Sequence, residues 1–311
     1  MLPRNELPED HRLLGHESFA GFRLFMNWRD LQPEMHTLDW SRFDIPIKRA
    51  KAWGQKIFIS INFGKGAPDW VYSNPHPCAP FTFDMKGQPS VMPFGFDQAY
   101  QRKVDDFLAQ LAFRYDDEET ISGFAMTGAG TLGIEFHVCE TDEDIANWEE
   151  AAMEANYAHK HDAIQECTWR RIDSWADLFS ATTIFFCRGN PWSNPSGTAD
   201  EEAMMAHAKT KENGGICSEF LKANAQYNED RGLVLNYPYT EEPVAPSSSP
   251  AFYRGYEEPF PEAPEPVHAL LMTAYNQGAT MCELWEEDAL NPANHETIAA
   301  DSIKLVSNVP A

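Results

Sequence analysis

The carboxylate of Glu135 follows a short apolar run and a glycine-rich turn, within residues 126–137 of sequence MTGAGTLGIEFH. Enzymes built on parallel α/β sheets keep their catalytic groups at the carboxyl ends of the strands, where a glutamate can donate or accept a proton. His137, two residues later, is a candidate substrate-binding residue, although a single histidine more often has a structural role. The type and position of Glu135 therefore predict a catalytic acid or a ligand-binding carboxylate.

Two charged residues near opposite ends of the chain occupy corresponding faces of predicted strands. Glu283 alternates with Met281 and Trp285 on one face of the last strand, and Arg23 shares a face with Asn27 on the first clear strand. A buried charge must have a partner. We therefore expect the side chain of Glu283 to point to the inner side of the sheet, away from the helices. There it either binds a ligand or pairs with Arg23, and the sequence leaves both alternatives open.

The elements that position these residues alternate between β-rich and helical runs, which is typical of a parallel sheet with crossover helices. Strands are predicted at 21–28, 56–63, 121–127, 182–187, 215–220, 233–237 and 279–285. Helices are predicted at 40–53, from an Asp97 cap to the acidic residues 116–119, and at 143–156, 163–179, 199–212 and 266–277. The second of these has the apolar stripe of a buried helix face, formed by Val104, Phe107, Leu108, Leu111 and Ala112. The 311 residues suit one (β/α)8 TIM barrel, spanning 1–311 as a single domain.

The predicted barrel departs from a regular alternation of strands and helices in its first strand and in two long loops. The first barrel strand is irregular or missing, because residues 1–20 are polar and 12–14 (RLL) is the best candidate in them. Residues 64–97 and 238–265 are predicted as long loops, and loops of such length usually form functional lids or rims.

The composition excludes several classes of function. With 48 acidic and 24 basic residues the net charge is -24, so a nucleic acid would be repelled over most of the surface. No run approaches the roughly 18 apolar residues of a membrane span, and the N-terminus lacks a signal-peptide stretch. We expect a soluble chain whose compartment stays open, a secreted mature form included. The six cysteines lie too far apart for a zinc site. Their even number permits disulfides outside the cell, but Cys187 and Cys282 lie inside predicted strands and are expected to be buried free thiols.

Three segments carry a resemblance to a known group of enzymes. Residues 23–44 (RLFMNWRDLQPE followed by LDWSRFD) resemble the "R-x-x-W-x-x-l-E-P … f-D-w-s-x-l-D" opening of retaining (β/α)8 glycoside hydrolases of the β-galactosidase-like and cellulase-like clan. Residues 66–72 (GAPDWVY) resemble the "P-x-W-l" segment of these enzymes, and 283–292 (ELWEEDALNP) are similar to the last strand and loop of poorly characterised relatives. The likeness covers residues 21–295 in order.

The resemblance implies that the visible strands are the second to eighth of the barrel, with two catalytic glutamates and no cofactor or metal. The acid/base glutamate after strand four corresponds to Glu135. The nucleophilic glutamate after strand seven corresponds first to Glu241, with Glu242, Glu257 and Glu283 as alternatives. Such a pair would cleave O-glycosidic bonds of a poly- or oligosaccharide.

The same resemblance implies a carbohydrate partner that stacks on aromatic rings. Trp28, Trp70 and Trp285 lie at strand ends or in an adjoining loop and are candidate stacking residues. Arg23, Asn27, His137 and Glu283 complete the candidate substrate-binding set. The oligomeric state, the sugar, and endo or exo action are not predicted.

Two rival functions stay open. Ile134 precedes Glu135 where the family has an asparagine, which favours a carbohydrate-binding barrel that has lost catalysis. A metal-dependent barrel hydrolase is the third hypothesis, and the lack of clustered histidines argues against it.

Overall fold

The computed structural model describes residues 7–73, 75–85, 87–126, 136–187, 189–192, 196–218, 244–246, 266–276, 281–284 and 289–306. Its strands are β1 Gly21–Asn27, β2 Lys56–Asn62, β3 Pro80–Met85, β4 Gln88–Pro93, β5 Ile121–Met126, β6 Ile184–Cys187, β7 Gly214–Ser218 and β8 Val244–Pro246. Its α-helices are α1 Trp28–Leu31, α2 Ser41–Ala52, α3 Gln98–Tyr115, α4 Asp142–Glu154, α5 Lys160–Leu178, α6 Gly197–Ala208, α7 Pro266–Asn276 and α8 His295–Val306. Short 3-10 helices occupy Asp69–Tyr72 and Pro292–Asn294.

Six strands form one parallel sheet in the spatial order β1-β2-β5-β6-β7-β8. Strands that follow one another in this order are joined by helical crossovers wherever the connection is described, which is the winding of an α/β fold. The predicted α/β class with a parallel sheet is therefore confirmed. The described ranges contain six strands of this sheet and not a closed ring, so the eight-stranded closure stays a prediction.

The helix-facing side of the sheet carries most of the core. Leu24 and Met26 of β1, Ile59 and Ile61 of β2, and Phe124 of β5 are buried in one cluster with apolar side chains of α2, α3 and α5. These residues alternate along each strand, so their neighbours point to the opposite, inner side. The predicted stripe of α3 belongs to the same cluster, and Asp97 caps that helix by accepting hydrogen bonds from two backbone N–H groups.

The inner side of the sheet has its own, smaller cluster, formed by Phe58, Ala125, Phe185, Cys187 and Cys217. Gly123 stands opposite Phe58 in the register of β2 and β5. A Cβ atom at Gly123 would lie 2.6 Å from the ring of Phe185. The glycine is therefore needed for the aromatic ring to fill this side of the sheet.

Most predicted helices are confirmed with small shifts at their ends, but five regions differ from the prediction. Residues 64–97 are not one loop, because they contain a 3-10 helix and the β3–β4 hairpin. Phe81, Phe83 and Met92 of the hairpin are buried beside α4. The prolines at its strand ends hid the alternation, and a two-stranded hairpin tolerates them because both strands are edges.

The other differences lie towards the two ends of the chain. Residues 7–20 form turns, so the candidate strand at 12–14 is wrong. The predicted loop 238–265 contains β8, and the helix α8 was not predicted. Within residues 281–284 of the strand predicted at 279–285, Glu283 forms a β-bridge but no longer strand is described. The predicted strand at 233–237 lies outside the described residues.

The six cysteines are free, as predicted for Cys187 and Cys282, and all but Cys282 are buried. Cys187 lies in β6, but Cys282 lies outside a strand and is only half-buried. In the described part of the chain, each helix is too short or too polar to cross a lipid bilayer.

Candidate functional site

The carboxyl ends of β1 and β2 define the edge at which a site is expected. Asn27 and Asn62, the last residues of these strands, are partners in the parallel register. The side-chain amide of Asn27 donates a 3.1 Å hydrogen bond to Oδ2 of Asp30, which fixes the start of α1. Asn27 therefore lies at the predicted edge, and part of its hydrogen-bonding capacity is used to turn the chain.

The next strand in the sheet, β5, leads into the segment that contains Glu135. Residues 127–135, Glu135 among them, lie outside the described residues. The chain resumes at Phe136, which is fully buried and packs on Phe186 of β6 with 4.6 Å between ring centroids. Gly189 allows this approach, because a Cβ there would lie 2.6 Å from the backbone nitrogen of Phe136.

His137 links the segments that follow β5 and β6. Its Nδ1 lies 3.1 Å from the carbonyl oxygen of Asn190, and its Nε2 lies 3.5 Å from Oε1 of Glu140. The backbone N–H of Val138 donates a 2.9 Å hydrogen bond to the carbonyl of Pro191. With 17% of its side chain exposed, His137 ties two loops together at the carboxyl edge of the sheet.

A polar cluster that the sequence did not indicate anchors the second of these loops. The carboxylate of Asp200 in α6 is 1% exposed and lies 2.6 Å from Nδ1 of His161. It also accepts hydrogen bonds from Gln165 at 2.8 Å and from the indole of Trp192 at 2.9 Å. Three partners compensate the cost of burying this carboxylate. No spacing rule could find the cluster, because its members come from α5, α6 and the loop between β6 and α6.

Arg23 and Glu283 form the ion pair that was one of two expectations for them. Nη1 of Arg23 lies 2.6 Å from Oε2 of Glu283, and the two side chains are 8% and 34% exposed. Nε of Arg23 also donates a 2.9 Å hydrogen bond to Oγ of Ser60, and the guanidinium lies 5.4 Å from the ring centroid of Phe58. The four residues from Arg23 to Asn27 span about 13 Å of strand, so the pair is set back from the carboxyl edge. This geometry favours the structural alternative.

The tryptophans differ in what they can offer a ligand. Trp28 is 0% exposed and packs on Phe63 and Trp70, so its ring has no accessible face and it is a packing residue. Trp70 is half-buried, donates its indole N–H to the carbonyl of Gln32 at 2.9 Å, and has the ammonium of Lys103 5.8 Å from a ring centroid. The predicted site residues Glu241 and Trp285 lie outside the described residues, as do the alternatives Glu242 and Glu257.

An open cleft at the carboxyl edge contains further residues that the sequence reasoning missed. Its volume is about 370 Å3, within the usual range for ligand sites. Its lining comes from the segments after β1 and β2 and from the hairpin, and consists of Arg29, Lys65, Ala67, Asp69, Tyr72, Ser90 and Val91. Burial, and then Tyr100, raise the pKa of Tyr72, so its hydroxyl stays a donor. Within the described ranges, no three His, Cys, Asp or Glu side chains gather closely enough to hold a metal ion.

No protein-family model matches the chain, and no curated protein matches it. Among solved structures it is similar to the polyextremophilic β-galactosidase from the Antarctic haloarchaeon Halorubrum lacusprofundi, with 12% identity and a TM-score of 0.55 over 91% of this chain and 53% of that chain. It is also similar to the catalytic domain of the β-amylase from Paenibacillus polymyxa, with 10% identity and a TM-score of 0.62 over 96% of this chain and 94% of that chain. The chain thus spans about half the length of the β-galactosidase. At these identities the likeness shows only that the chain shares the fold of these two solved structures.

Proposed function

We propose that the chain is a glycoside hydrolase that cleaves O-glycosidic bonds of a poly- or oligosaccharide by a retaining mechanism with two carboxylates. Glu135 protonates the leaving oxygen while Glu241 attacks the anomeric carbon, so that the bond to the leaving group breaks and a glycosyl ester forms. Glu135 then takes a proton from water, which attacks the same carbon and releases Glu241. No cofactor enters either step.

The observation that carries this proposal is the position of Phe136, the residue bonded to Glu135. Phe136 is buried against β6 beside the carboxyl end of β5, in the middle of the parallel sheet. The proposal is supported by where the described chain resumes after Glu135, beside the edge at which this fold keeps its reacting groups. His137 belongs to the same short segment and is held there by the loop after β6.

The choice of Glu241 as nucleophile over Glu283 has support from the ion pair. Glu283 already neutralises Arg23 on the inner side of the sheet, away from the carboxyl edge. A nucleophile must stand about 5 to 5.5 Å from the acid in a retaining enzyme and face the same sugar carbon. Glu241, which follows the predicted strand seven, therefore stays the first choice for the nucleophile.

The fold likeness supports a carbohydrate as the substrate. The two solved structures are named as a β-galactosidase and a β-amylase. A fold alone does not carry an activity. Within this proposal Trp70, Asn27, His137 and Trp285 bind the sugar around the two glutamates.

The test is turnover of a panel of oligosaccharides, measured as released reducing ends. Glu135→Gln keeps the shape of the side chain but removes its acid, so kcat should fall by about a hundredfold or more. Glu119→Gln is the matched control, because Glu119 is an exposed residue just before the opposite end of β5. Unchanged turnover in Glu135→Gln would refute the role of Glu135. Proton NMR of the first product should show the anomer of the substrate.

A carbohydrate-binding barrel without catalysis is the second candidate, favoured by Ile134 in place of the family's asparagine. That asparagine binds the sugar 2-hydroxyl in the family, and an isoleucine cannot make this hydrogen bond. Saturable binding of an oligosaccharide with no release of reducing ends by the unmodified chain would identify this function.

A further inference from the structure

The cleft at the ends of β1 and β2 is lined by two cations in a strongly acidic protein. Arg29 follows β1 and Lys65 follows β2, and both line the same open volume of about 370 Å3. Among the described residues, neither cation has a carboxylate oxygen within 4.0 Å. The whole chain has 48 acidic and 24 basic residues. Two cations without such a partner in one cleft are therefore unexpected from composition.

Among the described residues, the groups that hold both cations in place are neutral. Nε of Arg29 donates to the carbonyl of Gly66 at 3.4 Å, and its Nη2 donates to the carbonyl of Lys65. These bonds orient the guanidinium without using its Nη1. The ammonium of Lys65 lies 2.9 Å from the sulfur of Met85, which is a weak acceptor and carries no charge.

The rest of the lining suits a polar ligand of moderate size. Tyr72 and Ser90 offer hydroxyl groups, and Val91 on the hairpin adds an apolar wall. Asp69 is the one carboxylate of the lining and is exposed. The described part of the lining therefore carries one net positive charge together with several hydrogen-bonding groups.

We propose that this cleft binds an acidic group of a saccharide, either a carboxylate or a sulfate ester, so that the protein selects acidic over neutral glycans. The proposal rests on the proposed carbohydrate-binding function and names its substrate class. Arg29 presents a fork that fits planar oxyanions, and Lys65 adds a point charge. The cleft lies at the same edge of the sheet as the carboxyl end of β5, after which Glu135 follows in the sequence. The three neighbouring strands β1, β2 and β5 span about 10 Å, so one oligosaccharide can reach both.

The experiment is isothermal titration of the Glu135→Gln protein, in which turnover does not consume the ligand. The probes are a linear oligouronide with its carboxyl-reduced neutral counterpart, and a sulfated oligosaccharide with its desulfated counterpart. One acidic probe should bind about tenfold tighter than its neutral counterpart, as expected for one charge-assisted hydrogen bond. The arm that shows this preference identifies the acidic group.

Lys65→Gln should lower the affinity for the acidic probe about tenfold and change the affinity for the neutral probe by less than about twofold. Lys48→Gln is the matched control, because Lys48 is exposed on α2 and loses the same charge outside the cleft. Asp69→Asn should strengthen acidic binding a few-fold, and it decides the question if Lys65→Gln does not fold. Equal binding of acidic and neutral probes, no binding of either acidic probe, or an equal effect of Lys65→Gln on both would overturn the proposal.

A separate turnover assay on the unmodified chain tests the proposed hydrolysis independently of the proposed acidic ligand. Hydrolysis without a preference for acidic glycans would leave the catalytic proposal standing and refute the acidic cleft ligand. A preference in binding without hydrolysis of any probe would support the cleft ligand and refute catalysis.

Discussion

The ion pair of Arg23 and Glu283 joins two segments that are 260 residues apart in the chain. Replacing Glu283 should lower the free energy of unfolding more than replacing Arg23. Glu283→Gln removes one counter-charge from a guanidinium that is 8% exposed. Breaking a buried pair from one side costs about 3 to 5 kcal/mol. The hydrogen bond to Ser60 and the ring of Phe58 keep part of the compensation, so we expect a loss of about 2 kcal/mol in the free energy of unfolding.

The opposite change should cost less. Arg23→Met keeps an apolar side chain over Phe58 and leaves Glu283, which is 34% exposed and can be hydrated. We therefore expect a loss of about 1 kcal/mol for Arg23→Met, since a partly exposed charge is screened by solvent. The double mutant should show a coupling energy of about 1 to 2 kcal/mol between the two sites.

Urea unfolding of the two single mutants, the double mutant and the unmodified chain measures this coupling, with an unchanged m-value as the condition for comparing them. The pair of Arg114 and Asp44 is the matched control, because its 2.7 Å distance is similar while its side chains are 44% and 43% exposed. Its coupling should stay below about 1 kcal/mol. A coupling below about 0.5 kcal/mol for Arg23 and Glu283, or a larger loss in Arg23→Met than in Glu283→Gln, would refute the reasoning.

Three further predictions concern single residues of the scaffold. Asp97→Ala removes the acceptor of two N–H groups at the start of α3 and should lower the unfolding free energy by about 1 to 2 kcal/mol in urea. Burial raises the pKa of Asp116, but hydrogen bonds from the backbone N–H groups of 180–182 outweigh it and lower the pKa overall. The stability from Asp116 is present above the unfolded pKa and lost as pH falls through the folded one, so Asp116→Asn should flatten the acid limb of the stability curve. Burial raises the pKa of the Cys139 and Cys167 thiols to about 12, so neither should react with an alkylating agent at about pH 8 until urea unfolds the chain.

The sequence predicts structure well where a short repeat of apolar residues determines the element. The repeat of apolar residues from Val104 to Leu111 predicted α3, and the same residues are buried against the sheet. Alternation along two strands paired Arg23 with Glu283 as one of two alternatives. Both results depend on a side chain's direction within its own element, which the local sequence determines.

The hairpin and the cleft could not be predicted from the sequence. In the hairpin two sequence signals contradict each other, and the cleft depends on contacts between residues far apart in the chain. Phe81 and Phe83 alternate as a strand requires, but the prolines around them are typical of a loop and masked the hairpin. Arg29 and Lys65 are 36 residues apart, and a turn of α1 with carbonyl acceptors brings them to one cleft. Each of these residues, read singly, is an ordinary surface cation. The cleft depends on tertiary contacts that no spacing rule contains.

The acidic surface and the cationic cleft act on an acidic glycan over different distances, and this decides which ligands the cleft can take. The repulsion from a net charge of -24 is spread over the molecule, and salt screens it beyond about 8 Å at physiological ionic strength. The contacts to Arg29 and Lys65 act at hydrogen-bond distance, where screening is weak. A short acidic oligosaccharide that stays within the cleft therefore gains the attraction and avoids most of the repulsion. A long polyanion that extends over the surface meets both, so the charge distribution favours short or sparsely charged chains.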